Sequence, residues 1–153
     1  MHENKAMAFE RRRDAYLIST DIRRIDLPFV HRYLSEESYW AKGVPLEVVR
    51  KSIAHSVCFG VYEAEQQIGF ARVVSDCATF AYLADVFIIQ AQQGKGLAKW
   101  LMSCVLSHPE LQGLRRWALV TADAHGLYTQ SGFRQLAKPE RWMELHNPNV
   151  YNQ

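Results

Sequence analysis

Two glycines in a short polar turn are the residues that point most directly to chemistry. The turn reads Gln93-Gly94-Lys95-Gly96 and lies between an apolar run and a segment with helical spacing. Glycine at a helix start lets the backbone approach a ligand closely. The first N–H groups of a helix have no internal acceptor and carry a partial positive charge. The turn therefore predicts a cradle for an anion, most often a phosphate.

Two common phosphate-binding motifs do not account for this turn. A P-loop requires a Gly-Lys-Ser/Thr string after its first glycine, and the chain contains no such string. The dinucleotide-binding fingerprint requires a third glycine at position 99, where this chain has Lys99. By itself, the turn predicts an anion site without specifying the anion.

An apolar strand must lead into the turn. Phe80–Ile89 is rich in aromatic and β-branched residues, and both of its alternating sets of side chains are apolar. This composition predicts a strand that is covered on both faces. Strict alternation places Val86 and Ile88 on the face opposite Leu83, and Asp85 is a carboxylate inside the apolar run.

An amphipathic helix must follow the turn. Apolar residues recur there at intervals of three and four, which predicts one buried stripe on a helix. The stripe consists of Leu97, Trp100, Leu101, Cys104 and Val105.

The remaining segments predict a single α+β domain over residues 1–153, with a mixed sheet and helices on both faces. The other predicted strands are Ala15–Ser19, Ser56–Glu63, Ile68–Val74, Arg115–Thr121, Phe133–Leu136 and Arg141–Leu145. Three other helices are predicted. The first begins after Asp26, which serves as its N-cap, the second spans Pro45–Ala54, and the third spans Ala124–Gln130 with Asp123 as its cap. Residues 1–13 are expected to form a loose arm.

Composition limits the classes of function. The 153 residues are 48% hydrophobic and 22% charged with a net charge of +2, which is typical of a globular domain. The basic run Arg11-Arg12-Arg13 is more typical of a solvated surface segment than of a nucleic-acid-binding site. No apolar run approaches the ~20 residues that span a bilayer, and the first residues lack the apolar core of a signal peptide. The three cysteines lack metal-type spacing, which favours reduced thiols in a cytoplasmic protein and no metal.

Two motifs occur in order along the chain. The first, Gln93-Gly94-Lys95-Gly96-Leu97-Ala98, fits the pattern Gln/Arg-x-x-Gly-x-Gly/Ala, and the second, Leu127-Tyr128-Thr129-Gln130-Ser131-Gly132-Phe133, fits the pattern Leu-Tyr-x-x-x-Gly-Phe. Together they resemble the two signatures of the GNAT N-acetyltransferase superfamily. The predicted order of elements resembles that fold from about Tyr16 to Leu145. One departure is Thr121, which stands where the family often has an asparagine that touches the cofactor.

The resemblance implies acetyl-CoA as the co-substrate. In the family, the backbone of the glycine turn holds the coenzyme pyrophosphate, a role that here falls on Gln93, Gly94, Lys95, Gly96, Leu97, Ala98 and Lys99. The family's central strand pairs with the pantetheine arm, which by position involves the main-chain groups of Val86, Phe87 and Ile88. An N–H near Ile88 would then hold the developing oxyanion of the thioester carbonyl.

The resemblance also implies transfer of an acetyl group to a primary amine by direct attack in a ternary complex. Tyr128 occupies the family's position for the acid that meets the departing thiolate. For the base, Asp85 is the carboxylate nearest the reacting carbonyl in sequence, and a structural role bonded to backbone or arginine is equally compatible. His125 and a chain of water molecules are the alternatives.

The acceptor site of this family lies at the first two helices and their linker. Here that region supplies His31, Tyr33, Tyr39 and Trp40, with Tyr82 nearby on the strand. Tyr39 and Trp40 could stack on a cationic or aromatic amine, or they could belong to the core. The sequence leaves open whether the amine is a small molecule or a peptide, and whether the chain forms a homodimer. A non-catalytic acyl-CoA-binding module on the same fold is the alternative function.

Overall fold

A computed structural model describes residues 7–152, which form one six-stranded sheet whose spatial order follows the chain. The strands are β1 Glu10–Arg13, β2 Tyr16–Ser19, β3 Val57–Glu63, β4 Gln66–Ser75, β5 Phe80–Ile88 and β6 Arg116–Leu119. Neighbouring strands are antiparallel except β5 and β6, which are parallel. The mixed sheet confirms the predicted fold class.

Helices cover both faces of the sheet, as predicted. They are α1 Leu27–Arg32, α2 Leu46–Ala54, α3 Leu97–Ser107 and α4 His125–Gln130, and α1 continues into a π-helical turn, Tyr33–Glu37. The Asp26 carboxylate accepts a hydrogen bond of 3.1 Å from the N–H of Phe29, which confirms the predicted N-cap. Within residues 7–152, no helix is long and apolar enough to cross a membrane.

The sheet separates two hydrophobic clusters. The α3 side contains the fully buried Phe59 and Leu101, and the α1–α2 side contains the fully buried Val30 and Phe70. Removing each such side chain from water contributes about 1.5–3 kcal/mol to folding. The two clusters therefore fix the positions of the helices relative to β4 and β5.

A β-bulge at Ala84 interrupts the regular pairing of β4 with β5. Val73 pairs with Leu83, and the next pair along the ladder is Arg72 with Asp85, so Ala84 is an extra residue on β5. A bulge of this kind bends its strand and increases the local twist.

The bulge also changes which side chains share a face of β5. Val86 and Ile88 pack into the α3-side cluster together with Leu83, while Phe87 packs into the opposite cluster. The prediction from strict alternation is wrong for these residues, because the extra residue shifts the alternation by one position. A bulge inside a uniformly apolar run leaves no local signal in the sequence.

Strand β1 corrects the prediction of a loose arm for residues 10–13. A turn at Asp14, whose φ is 54°, folds β1 back onto β2. The guanidinium groups of Arg11 and Arg13 lie 4.1 and 4.8 Å from the ring centroids of Phe9 and Trp100. Stacking on these aromatic rings stabilises β1, although the charge of the segment alone would favour a solvated arm. Residues 1–6 lie outside the described residues.

The predictions of two final strands, Phe133–Leu136 and Arg141–Leu145, are wrong within the described part of the chain. A 3-10 turn at Pro139–Arg141 interrupts this region, and neither segment pairs with the sheet. Met143 and Leu145 are almost fully exposed, at 97% and 105%. The composition of these segments is typical of strands, but nothing in the described fold supplies them with a pairing partner.

Candidate active site

A gap between β5 and β6 is the main feature of the candidate site. The two strands pair from Phe80 opposite Arg116 to Leu83 opposite Leu119, and β5 then continues to Ile88 with no pairing partner on that side among residues 7–152. The pairing stops immediately before the bulge at Ala84. Because a bulge bends its strand, its position accounts for the divergence of β5 from β6 at this point.

Main-chain groups of β5 face the gap. The N–H of Ile89 donates to the carbonyl of Ile68 at 3.0 Å. Groups alternate in direction along an antiparallel ladder, so Phe87 also turns its main chain toward β4, whereas Val86 and Ile88 turn theirs toward the gap. The Ile88 carbonyl accepts a hydrogen bond of 2.9 Å from the side-chain amide of Gln93. The Ile88 N–H and the Val86 main chain are therefore the groups most available to a ligand in the gap.

The glycine turn lies beyond the end of β5 and leads into α3. Gly94 and Gly96 have φ values of 81° and 77°, a left-handed conformation that favours glycine. Apart from the glycine itself and its chain neighbours, no atom of the described residues comes within 4 Å of the place where a Cβ would stand at either position, so the space beside them is open. Gly96 is the N-cap of α3 and provides no side-chain cap.

The start of α3 has unpaired donors suited to an anion. Within the described residues, no protein acceptor pairs with the N–H groups of residues 94–99. This set includes Lys95, Leu97, Ala98 and Lys99, which were predicted to bind the cofactor. Open space, unpaired N–H groups and the positive end of the helix dipole together fit a pyrophosphate.

Gln92 holds the turn in position, a role that the sequence analysis did not assign. Its side-chain amide donates to Glu63 at 3.0 Å and accepts from the hydroxyl of Tyr16 at 3.1 Å. It also accepts a hydrogen bond of 2.9 Å from the ammonium group of Lys95. Gln92 thus links the glycine turn to β2 and to the end of β3.

Asp85 lies on the other side of β5 from the α3 cluster and is only 6% exposed. Its Oδ2 receives a hydrogen bond of 2.7 Å from Arg72 Nε, within an ion pair. Its Oδ1 receives a hydrogen bond of 2.7 Å from the indole Nε1 of Trp40. Arg72 also donates to the hydroxyl of Ser56 at 3.1 Å. Asp85 and Trp40 were each predicted to belong to the site, and the hydrogen bond between them has no signal in the sequence.

The region after β6 contacts the same linker. The hydroxyl of Tyr39 accepts a hydrogen bond of 2.8 Å from the N–H of Ala122. The hydroxyl of Thr121 accepts one of 3.1 Å from the N–H of Ala124. Asp123 does not cap α4, which corrects the prediction, because Ala124 is the N-cap residue and no side chain of the described residues caps the helix.

Tyr128 is buried on α4 and lines the same cavity as Leu119, the last residue of β6. Its ring packs edge-on against Phe133, with ring centroids 5.9 Å apart. Burial raises the pKa of Tyr128 to about 12, with smaller contributions from Tyr39 and the Asp123 carboxylate. The phenol is therefore neutral at physiological pH and can donate a hydrogen bond.

The other predicted site residues have varied surroundings. His31 forms a 3.0 Å hydrogen bond between its Nε2 and the carbonyl of Val44, which joins α1 to the chain before α2. Tyr82 is half-buried on β5. His125 is exposed and lines a cavity of about 510 Å³ between β6, α4 and residues 133–139, which Tyr128 also lines.

Comparisons with known proteins agree with this geometry. Residues 54–135 match the family model described as the acetyltransferase (GNAT) domain. The chain belongs to the GNAT acetyltransferase family. A Gibberella zeae protein named as a predicted acetyltransferase is 30% identical, and the match covers 76% of this chain and 77% of that protein.

Solved structures give the same assignment. A predicted GNAT-family acetyltransferase from Xanthomonas campestris pv. campestris is 47% identical, with a TM-score of 0.88 over 90% of this chain and 97% of that one. A GNAT acetyltransferase from Elizabethkingia anophelis with bound acetyl-CoA shares the fold at 13% identity, with a TM-score of 0.61 over 86% of this chain and 88% of that one. The protein is thus an acyltransferase of the GNAT type.

Proposed function

We propose that this GNAT acetyltransferase moves the acetyl group of acetyl-CoA to a primary amine of a small molecule or peptide. The amine attacks directly, with both substrates bound at once. The observation that carries the proposal is the gap between β5 and β6, which has free main-chain groups on one wall, an anion cradle beyond the end of β5 and Tyr128 nearby.

The binding of acetyl-CoA is divided between the turn and the strand. The N–H groups of residues 94–99 hold the pyrophosphate, with Gly94 and Gly96 providing the open backbone. The main chain of Val86 pairs with the amide groups of the pantetheine arm, as an additional strand would. This pairing leaves the Ile88 N–H as the donor to the thioester carbonyl, where negative charge develops during attack.

The reaction forms one bond and breaks another. The lone pair of the neutral amine forms the new N–C bond at the thioester carbonyl carbon, and the C–S bond then breaks with its electron pair on sulfur. The amine proton passes to a base, for which Asp85, His125 and water remain candidates. The thiolate takes a proton when it leaves as free CoA.

Tyr128 contributes at the sulfur mainly as a hydrogen-bond donor. Its pKa of about 12 lies well above the ~8.5 of an ordinary thiol, so complete proton transfer to the thiolate is uphill. A neutral donor near the sulfur still stabilises the charge that develops as the C–S bond breaks. Solvent can then complete the protonation.

An assay of CoA release over a panel of amines tests the proposal. The protein is incubated with acetyl-CoA and primary amines, including peptides with a free N-terminus, with matched alcohols as controls. We expect amine-dependent release of free CoA and an equal amount of acetylated amine by mass spectrometry. CoA release without acetylated amine would indicate hydrolysis and would contradict amine transfer, as would equal release with the alcohols.

A further inference from the structure

The aromatic linker, defined as residues 38–43, is tied to both strands that flank the gap. Trp40 bonds to Asp85, two residues beyond the last paired residue of β5, Leu83. Tyr39 bonds to Ala122, three residues beyond the last paired residue of β6. The linker therefore bridges the two strands where they have separated.

The aromatic linker is also internally braced. The hydroxyl of Ser38 accepts from the N–H of Ala41 at 3.1 Å and donates to the carbonyl of Leu34 at 2.7 Å. The N–H of Gly43 donates to the carbonyl of Ser35 at 2.9 Å. These bonds hold the linker in one conformation, so its two aromatic rings have fixed positions.

The rings of Tyr39 and Trp40 are open to solvent even though their polar atoms are bonded. Their exposed fractions are 54% and 39%, and they meet edge to face with centroids 5.1 Å apart. An acceptor that approaches the gap from the α1–α2 side would meet these ring faces. Aromatic faces suit the apolar stem or the cationic group of an amine.

Both oxygens of Asp85 are already engaged. Each oxygen accepts a hydrogen bond of 2.7 Å, one from the Arg72 guanidinium and one from the Trp40 indole, and the residue is only 6% exposed. An amine proton would therefore have to reach the remaining lone pairs of a buried, ion-paired carboxylate or displace one of these donors. Displacement of Arg72 would also leave a buried positive charge without its partner, which is costly. The contacts of Asp85 therefore favour a role in holding Trp40 over a role as base.

We propose that the aromatic linker is a fixed strap across the gap, which limits the size of the acceptor. Asp85 acts on the reaction through Trp40 and is a positioning residue. This inference rests on the proposed amine transfer and identifies the residues that determine acceptor choice.

Kinetics of four variants test the strap. Trp40→Phe keeps the aromatic bulk and loses the indole N–H, whereas Asp85→Asn keeps an oxygen that can accept from the indole. Loss of a hydrogen bond to a charged group should raise the acceptor KM about 10-fold in Trp40→Phe and Asp85→Ala, with the KM for acetyl-CoA unchanged. The double variant Trp40→Phe/Asp85→Ala should be no worse than either single variant, and Asp85→Asn should lose only about threefold.

The opposite kinetic pattern would overturn the proposal. If Asp85 is the base, Asp85→Asn will lower kcat as much as Asp85→Ala, and Trp40→Phe will leave kcat and both KM values close to those of the wild type. The pH profile adds a second criterion, because a strap predicts the same profile in Asp85→Asn as in the wild type. Loss of the low-pH limb in that variant would show that Asp85 titrates during catalysis.

Hydrogen exchange provides a readout that does not depend on activity. Trp142→Phe is the matched control, because Trp142 is also 39% exposed and lies in the segment after α4. We expect the amides of Ala41 and Gly43 to exchange at least about fivefold faster in Trp40→Phe than in Trp142→Phe. Equal exchange would refute the strap. Failure of the amine panel with faster exchange would refute the proposed transfer instead, and Trp40→Phe keeps the test valid if Asp85→Ala does not fold.

Discussion

Replacement of Gly96 by glutamate tests the anion cradle most directly. A glutamate at position 96 would place a carboxylate at the N-terminus of α3, where the new Cβ would meet no atom within 4 Å from the part of the chain that the structure describes, its chain neighbours excepted. The variant changes two things at once. It forces a side-chain-bearing residue into a φ of 77°, and it introduces a negative charge where the pyrophosphate is expected.

The first effect lowers the folding stability, and the second lowers the affinity for acetyl-CoA. A non-glycine residue in the left-handed region costs about 1–2 kcal/mol of folding stability, whether or not acetyl-CoA is bound. A unit charge about 5 Å from a doubly charged pyrophosphate, at an effective dielectric constant of about 40, opposes binding by about 3 kcal/mol. The second effect corresponds to a Kd for acetyl-CoA on the order of 100-fold weaker.

Gly113 provides the control that separates these effects. It has a φ of 71° and lies in an exposed loop before β6. As at Gly96, no described residue other than its chain neighbours has an atom within 4 Å of its Cβ position. Gly113→Glu should therefore lose similar stability in thermal unfolding and bind acetyl-CoA as the wild type does. Titration calorimetry gives the Kd of each variant, and the deficit of Gly96→Glu should shrink as salt is added. Equal Kd values for the two variants would refute the location of the cradle.

Three further predictions concern the donor, the support of the turn and the stability of the fold. Tyr128→Phe should lower kcat about 10- to 100-fold with the KM for acetyl-CoA nearly unchanged; a larger change in KM would make Tyr128 a binding residue. Gln92→Ala should weaken acetyl-CoA binding about fivefold in calorimetry, whereas Gln112→Ala, at the far end of α3, should not. Burial lowers the pKa of His108, so the unfolded chain binds this proton more readily and stability is lost as pH falls through ~6.5. His108→Gln should therefore show a smaller drop in Tm between pH 7.5 and 5.5, and an unchanged drop would contradict this assignment.

The elements next to the glycine turn could be predicted because their signals are local. The apolar run of β5, the glycines at 94 and 96 and the stripe of α3 each lie within one segment. The second motif likewise placed Tyr128 on a short helix, and the structure confirms that helix. Local periodicity and glycine placement were sufficient for this part of the site.

The contacts that join distant segments could not be predicted. Trp40 and Asp85 are separated by 45 positions, and no local sequence pattern indicates that they are in contact. Arg72 reaches Asp85 only because the bulge at Ala84 keeps them opposite each other. Strand β1 could not be predicted for a related reason, since its Glu-Arg-Arg-Arg sequence is not typical of a strand, and its stabilising contacts are the pairing with β2 and the rings of Phe9 and Trp100.

The bulge at Ala84 has a consequence for the folding of the sheet. The α3-side residues of β5 are Ala81 and Leu83 before the bulge and Val86 and Ile88 after it, so the alternation changes phase at Ala84. Because both faces of β5 are apolar apart from Asp85, hydrophobicity alone does not decide how β5 aligns with β4. A slip by one residue after Leu83 would turn the carboxylate of Asp85 into the α3-side cluster, away from Arg72. A buried charge without a partner costs several kcal/mol, which is a large share of the stability of a domain. The ion pair between Arg72 and Asp85 therefore favours the observed register of β5 on β4. The carboxylate that bonds to the aromatic linker thus also favours the register that leaves the gap open.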